Sequence, residues 1–282
     1  MGLRLKDWYS LTKVNRVVMP ASCFLLGVFA FSTFNELYVL PIFTILFLYA
    51  ASATLNDLSD IDIDKISNPD RPLPARKLTR LDTFKISIFF AIVGVISSYF
   101  IGIIFNKPYF VLFGAGWLML GIIYAVITSH HFITSSFTLS LSHGLLPFLA
   151  SLYLSNSAMI SYKALVFMGV ILSTLFMTYN VKDFKDMEGD RLSGRVTIPL
   201  LKDASFGKKV MLILFIMTFP TAIIAWILLD GSYLSLVGSV FFSLILIYSG
   251  VDLFKANSRK EFSRIITRCT YVRALFILSF LL

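Results

Sequence analysis

Charge is the first thing this chain has little of. Asp, Glu, Lys and Arg make up 15% of its 282 residues, against 57% hydrophobic, and the mean hydropathy is +0.81. That balance excludes one or two ordinary soluble domains. Cysteine is scarcer still. Cys23 and Cys269 lie in or near apolar runs, offer no metal-ligand spacing and read as small hydrophobes. No small-residue cleavage pattern follows the first apolar run, so no cleavable leader is expected. The apolar runs also lack strand-like alternation, which excludes a membrane barrel.

What the chain does have is apolar length. A bilayer core of about 30 Å needs roughly 20 apolar residues per helix. About nine such runs occur, near 14–32, 36–55, 84–105, 108–128, 132–154, 163–180, 209–229, 232–252 and 265–282. The pattern predicts an all-α membrane protein with about nine transmembrane helices, forming one domain over 1–282. The net charge of +9 invites a nucleic-acid reading, but its distribution argues against one. With the amino terminus inside, parity puts 56–83, 128–131, 181–208 and 253–264 on the cytoplasmic side. Nearly every Lys and Arg then falls inside or at an inner helix end, Lys107 and Lys163 excepted. The basic excess is a topology signal. A multi-pass protein with its polar loops facing the cytoplasm is expected, in the cell membrane if the source is prokaryotic, with lipid and not nucleic acid as its surroundings.

Most of the sixteen acids fall in or beside two segments, 56–64 and 183–190, each directly after an apolar run and four spans apart. Neighbouring carboxylates resist ionising together unless cations share the site. On a helix, Asn56, Asp60 and Asp64 share a face, with Asp57 adjacent; Asp186 and Asp190 form a second row, with Asp183 before it. Two such rows could hold Mg²⁺, which takes one or two carboxylates together with phosphate oxygens and water. Arg71, Arg76, Lys182, Arg191 and Arg195 lie close in sequence and could meet the remaining phosphate oxygens. Asp62 and Glu188 fall off the rows and are expected to be bystanders. A plainer reading is a solvated helix boundary. The regular spacing and the second copy argue against it, and the first run lacks the glycine and terminal glutamate of a calcium-binding EF-hand loop. Prolines in 68–74, and Gly189, Gly194 and Thr197-Ile198-Pro199, suggest that 56–83 and 181–208 are ordered lids over an inner mouth.

These residues resemble the UbiA superfamily of intramembrane prenyltransferases. Its first motif, N-D-x-x-D-x-x-x-D followed by R-P-x-P, reads here as Asn56-Asp57-x-x-Asp60-x-x-x-Asp64 and Arg71-Pro72-Leu73-Pro74. Its second, D-x-x-D-x-x-x-D with a following glycine and T-[LI]-P, reads Asp183-x-x-Asp186-x-x-x-Asp190, Gly194 and Thr197-Ile198-Pro199. The resemblance implies nine helices around a central cavity open to the cytoplasm. It also implies Mg²⁺-dependent transfer of a long prenyl group, geranylgeranyl or similar, from its diphosphate to a lipophilic acceptor. Asn56, Asp60 and Asp64 would serve one metal and Asp186 and Asp190 the other, with Asp57 and Asp183 as ligands or supports. Arg71 would contact diphosphate, with Lys182, Arg191 and Arg195 as further contacts and Tyr124 among the catalytic groups.

The chain departs from the family pattern after Tyr124, where Thr128-Ser129-His130-His131 replaces a Leu-Lys pair. His130 or His131 could supply partial charge there, or simply form a polar helix end. Lys185 stands where relatives often carry an acid. His143, inside a run, suits either acceptor binding or a helix–helix hydrogen bond. Asn15 and Arg16 read as interface anchors. The 68–74 stretch looks most like branches acting on geranylgeranylated glycerol phosphate or chlorophyll precursors, with ether-lipid synthesis first and quinone prenylation as alternative. A secondary transporter of an anionic solute is the rival class, but transporter sites usually lie at the midplane. The D-G-x-x-A-R pattern of CDP-alcohol phosphotransfer is absent.

Overall fold

The computed structural model describes residues 4–158 and 161–282; residues 1–3, and Met159 and Ile160 within the expected 155–162 loop, lie outside it. Among the described residues the chain is helical, with no strand. In order, the helices are α1 (Leu5–Thr12), α2 (Val18–Phe31), α3 (Val39–Ser59), α4 (Ile61–Ser67), α5 (Arg80–Ile104), α6 (Val111–Val126) and α7 (Phe132–Ser140). A π-turn, Leu141–Leu145, joins α7 to α8 (Leu146–Leu154). Then come α9 (Tyr162–Thr178), α10 (Asp183–Leu192), α11 (Ala204–Ile216), α12 (Thr218–Leu229), α13 (Tyr233–Lys255) and α14 (Arg259–Leu278). Side-chain caps start many of them. Thr79 with Asp82, and Ser258 with Glu261, form reciprocal capping boxes at α5 and α14. Ser161, Asp203 and Ser232 cap α9, α11 and α13.

Among the described residues, eight segments are long and apolar enough to cross a membrane: Val14–Phe31, Glu36–Ser59, Arg80–Ile104, Pro108–Val126, Phe132–Leu154, Tyr162–Leu192, Ala204–Leu229 and Tyr233–Lys255. The ninth expected run, 265–282, is helical but belongs to α14, which carries Arg264, Arg268 and Arg273 and packs against α2 and α13. Among the described residues, length and composition thus mark eight of the nine expected runs as spans. Lipid tails are as apolar as leucine, so these helices associate by close packing of small groups. At Gly94 an added Cβ would stand 2.7 Å from Leu48 of α3, and at Gly121 it would stand 2.6 Å from Ser52. The innermost side chains, among them Phe24, Phe148, Phe167 and Phe276, are fully buried.

The two acid segments, expected as rows on helix faces at the ends of apolar runs, are largely helical and meet at one end of the bundle. Asp60 interrupts the first helix, with φ −91° and ψ 8°, so Asn56, Asp60 and Asp64 do not lie on one continuous rod. The i to i+4 pattern nevertheless survives the bend: Asp60 N–H donates to Asn56 at 2.9 Å, and Asp64 N–H to Asp60 at 2.8 Å. α4 then packs directly on α10. At Gly189 a Cβ would stand 2.7 Å from Ser67 Oγ and 2.8 Å from the Ile63 carbonyl oxygen, and the backbone atom cannot rotate away. Ser67 Oγ donates to the Asp186 carbonyl at 3.2 Å and accepts from Gly189 N–H at 3.2 Å. Gly189→Ala is expected to cost about 1–3 kcal/mol through overpacking. Unfolding of the detergent-solubilised protein measures it, and an unchanged midpoint would show that α4 and α10 are not this close.

Candidate active site

Two chain stops aim the basic side chains at the acids. α10 ends in Ser193 and Gly194, the latter at φ 72°, where glycine bears no Cβ penalty. Arg195 N–H donates to the Asp190 carbonyl at 3.0 Å and Gly194 N–H to that of Arg191 at 3.3 Å, the paired bonds of a Schellman stop. The turn swings the Arg195 guanidinium back onto Asp60, with Asp190 at 3.6 Å and Ser129 Oγ at 3.3 Å. The next residue, Val196, exchanges backbone hydrogen bonds with His130 and Phe132 at 2.8 and 2.9 Å, which pins the segment beyond. The proline segment folds into tight turns. Arg71 N–H donates to Asn68 at 3.1 Å, and Lys77 N–H to Pro72 at 2.9 Å, over a buried Leu73. The Arg71 guanidinium reaches Asp64 at 2.5 Å and Asp57 at 3.4 Å.

Asn56, Asp60, Arg71, Tyr124, Lys182, Asp183, Asp186, Asp190 and Arg195 line one cavity, which encloses about 1290 Å³ including its mouth. Asn68 ties the halves together, its Nδ2 donating to Asp64 and Asp186, each at 2.8 Å. Lys182 donates to the Tyr124 hydroxyl at 2.5 Å, lies over its ring, and stands 3.9 Å from Asp183. Asp57 and Asp64 sit behind the wall, each 2% exposed. Burial pushes the Asp64 carboxyl above its usual range, with Arg71 and Lys13 pulling it back. Burial also works against the Arg71 charge, but Asp57, Asp64 and Asp186 outweigh it and hold the guanidinium above its ordinary value.

Arg191 and Arg76 are not brought in. Both are exposed, Arg191 because the residue after Asp190 turns about 100° away on α10. Asp62, paired with Lys65 at 2.7 Å, and Glu188 are exposed as well. His130 is exposed and outside the cavity, and His131 caps α7 by accepting from Ile133 N–H at 3.2 Å. His143 enters the cavity from the π-turn, its Nδ1 3.1 Å from the Tyr179 hydroxyl. Sequence reasoning missed Lys13, Asn68 and Arg273, and gave Arg16 to the interface although it lines the cavity. Lys13 ends α1 at φ 50° and donates to Asp57 at 2.6 Å, where burial draws its ammonium below the ordinary lysine range and Asp57 opposes the shift.

The donor set is all oxygen, and among the described residues no three His, Cys, Asp or Glu side chains converge into a closed metal cage. An open arrangement of carboxylates suits Mg²⁺, which keeps sites for water and phosphate. Asn56 adds a specific fit. Its Nδ2 donates to Asp60 at 2.6 Å, leaving its buried Oδ1 without a partner on the cavity wall. Seven basic side chains against four carboxylates line the cavity, an excess that suits an anionic ligand.

Residues 17–277 match the UbiA prenyltransferase family. The chain belongs to that family. It is a multi-pass membrane prenyltransferase. Digeranylgeranylglyceryl phosphate synthase of Methanocaldococcus jannaschii is 24% identical over 289 residues, covering 99% of this chain and 96% of that protein. A structure solved in a study of digeranylgeranylglyceryl phosphate synthase in membranes is 22% identical, with TM-score 0.64, over 98% of this chain and 97% of that one. A UbiA homolog from Archaeoglobus fulgidus, bound to GPP and Mg²⁺, is 14% identical, with TM-score 0.65, over 97% of this chain and 99% of that one.

The buried Lys13–Asp57 pair makes a direct prediction. Lys13→Met strands a carboxylate whose remaining cation is Arg71, and is expected to cost about 3–5 kcal/mol. Asp62→Asn, at the exposed pair, is expected to leave the unfolding midpoint unchanged. Thermal or denaturant unfolding of both variants in detergent checks the contrast.

Proposed function

We propose that this prenyltransferase moves a long prenyl group, of the geranylgeranyl class, from its diphosphate to the hydroxyl of a lipophilic glyceryl phosphate acceptor, with Mg²⁺ as cofactor. The observation that carries this reading is the packing of α4 on α10, which gathers Asp60, Asp186, Asp190 and the Asn56 carbonyl oxygen at the mouth of a membrane cavity. The named function of the Methanocaldococcus jannaschii relative supports the acceptor class, and the Archaeoglobus fulgidus homolog supports the cofactor and donor.

In this reading Asn56, Asp60, Asp186 and Asp190 hold Mg²⁺, with Asp183 beside them and Asp57 and Asp64 fixing Lys13 and Arg71 from behind. Arg71, Arg195 and Lys182 bind the outer diphosphate oxygens, and Tyr124 orients the Lys182 ammonium. Held by these residues, Mg²⁺ would supply positive charge for the diphosphate that departs when the allylic carbon–oxygen bond breaks. The prenyl tail extends along Tyr49 and Trp117, whose ring faces stabilise positive charge while the apolar wall keeps water away. The acceptor hydroxyl oxygen forms the new bond to carbon, and its proton passes to the released diphosphate, which leaves with it. The segments 56–83 and 181–208 act as lids, and the distribution of Lys and Arg favours a mouth on the cytoplasmic side.

The test supplies labelled geranylgeranyl diphosphate and Mg²⁺ to the purified protein, with geranylgeranylglyceryl phosphate, an aromatic quinone precursor and a chlorophyll precursor as separate acceptors. The expected product, identified by mass, is the doubly prenylated glyceryl phosphate. Product from an aromatic acceptor alone would replace this reading with the quinone one. Asp60→Asn and Asp186→Asn are expected to lower kcat by roughly 10²–10³-fold in folded protein. Retained transfer with unaltered Mg²⁺ dependence would overturn the metal roles.

A further inference from the structure

Four of the basic side chains on the cavity wall are held by carboxylates: Lys13 by Asp57, Arg71 by Asp57 and Asp64, Lys182 by Asp183, and Arg195 by Asp60 and Asp190. Arg273 is not. It stands within α14, 4% exposed, lining the cavity, and among the described residues no carboxylate forms an ion pair with it. Its guanidinium lies 4.6 Å over the Tyr179 ring, and its Nε donates to the Cys269 carbonyl at 3.0 Å. Nη1 and Nη2 reach the Thr178 and Thr270 hydroxyls only at 3.4 and 3.3 Å. Those hydroxyls already give their protons to Thr174 and Ile266. Of five N–H donors, two are left without a protein acceptor, and the charge is left without a counter-charge. A buried guanidinium in that state is strongly unfavourable unless an anion arrives with the ligand.

The donor diphosphate is a poor candidate for that anion. Thr178 and Tyr179 precede Asp183 by four or five residues on one rod, a separation of roughly 7–10 Å by helical rise. One diphosphate held at the acids does not span it. Among the described residues Arg16 and Lys185 also form no ion pair with a carboxylate, but they border the open groove outside the mouth, and Arg273 does not.

We infer that Arg273 binds the anionic headgroup of the acceptor, a phosphate monoester carried by the lipid, and so positions the acceptor hydroxyl beside the allylic carbon. The inference rests on the proposed glyceryl phosphate acceptor. A guanidinium fork matches two phosphate oxygens, and both free N–H groups are then used. The acceptor also neutralises Arg273 before positive charge develops on the donor, so the nascent cation does not face a bare guanidinium.

The experiment uses the full chain in detergent with geranylgeranyl diphosphate and two acceptors, a prenylglyceryl ether bearing phosphate and the same lipid without it. Wild type is expected to favour the phosphorylated lipid. Arg273→Gln and Arg273→Met are expected to raise its KM by about 10–100-fold and abolish the preference, with Arg273→Lys losing less. The KM for the donor should stay within about twofold. A rise in donor KM instead, an equal loss with both lipids, or an unchanged acceptor KM would overturn the site. Thermal unfolding shows whether each variant folds. If Arg273→Met does not, Arg273→Lys and stabilisation of wild type by each lipid in the absence of donor are read in its place. Greater stabilisation by the phosphorylated lipid supports the site, and equal stabilisation overturns it. Wild type that transfers to neither lipid would refute the parent reading, an outcome distinct from a variant that leaves KM unmoved.

Discussion

Carboxylates cannot be held at the end of an apolar bundle without nearby positive charge, and much of the polar end derives from that constraint. Lys13 must leave α1 in a left-handed turn to reach Asp57, the proline segment must fold back to deliver Arg71, and Gly194 must stop α10 so that Arg195 returns to Asp60. Each contact is sheltered from solvent, where ion pairs are strongest and mistakes are most costly. The chain therefore stores its ligand-binding charge in mutual pairs. In the proposed function, a ligand carrying both phosphate and metal would exchange these partners without adding net bare charge to the site, arginine taking phosphate as its carboxylate takes the cation.

The acid ends also explain why the apolar part can be loosely specified. Outer helices such as α5 and α11 expose many large hydrophobic side chains, which suits lipid and sets no particular neighbour. The demanding contacts are few: Gly189 on α4, Gly121 on Ser52, and Asn68 between Asp64 and Asp186. Small residues fix how near the rods come, and hydrogen bonds at one end fix their rotation.

Local and periodic features are the ones a sequence displays openly. The membrane class, the apolar runs and the two acid spacings are such patterns, so they were legible in the sequence. Lys13 meeting Asp57 across 44 positions has no periodic signature, and Asn68 looked like part of a proline turn. Arg191 and Arg195 looked equivalent as neighbours of Asp190, yet helical rotation sends one outward and a glycine turn brings the other in. Arg16 and Arg273 were hidden for opposite reasons. One stands at a helix start where anchors are common, and the other lies in an apolar run, where a single charge reads as an interruption. The ninth run, with Arg268 and Arg273 among its leucines and isoleucines, is the one that length and composition do not mark as a span among the described residues.

The π-turn at Leu141–Leu145 has an effect beyond admitting His143. One residue too many in a helical turn offsets the residues beyond it by about 100°. The rod made by α7 and α8 is thus twisted at its waist: α7 turns its small polar face, Ser136 and Ser140, towards the α9 side, while α8 turns Phe148 and Ala150 towards α2. A straight helix of the same length has only one stripe with which to face two neighbours. The surplus residue gives this one two stripes, and the cavity lies where they change over.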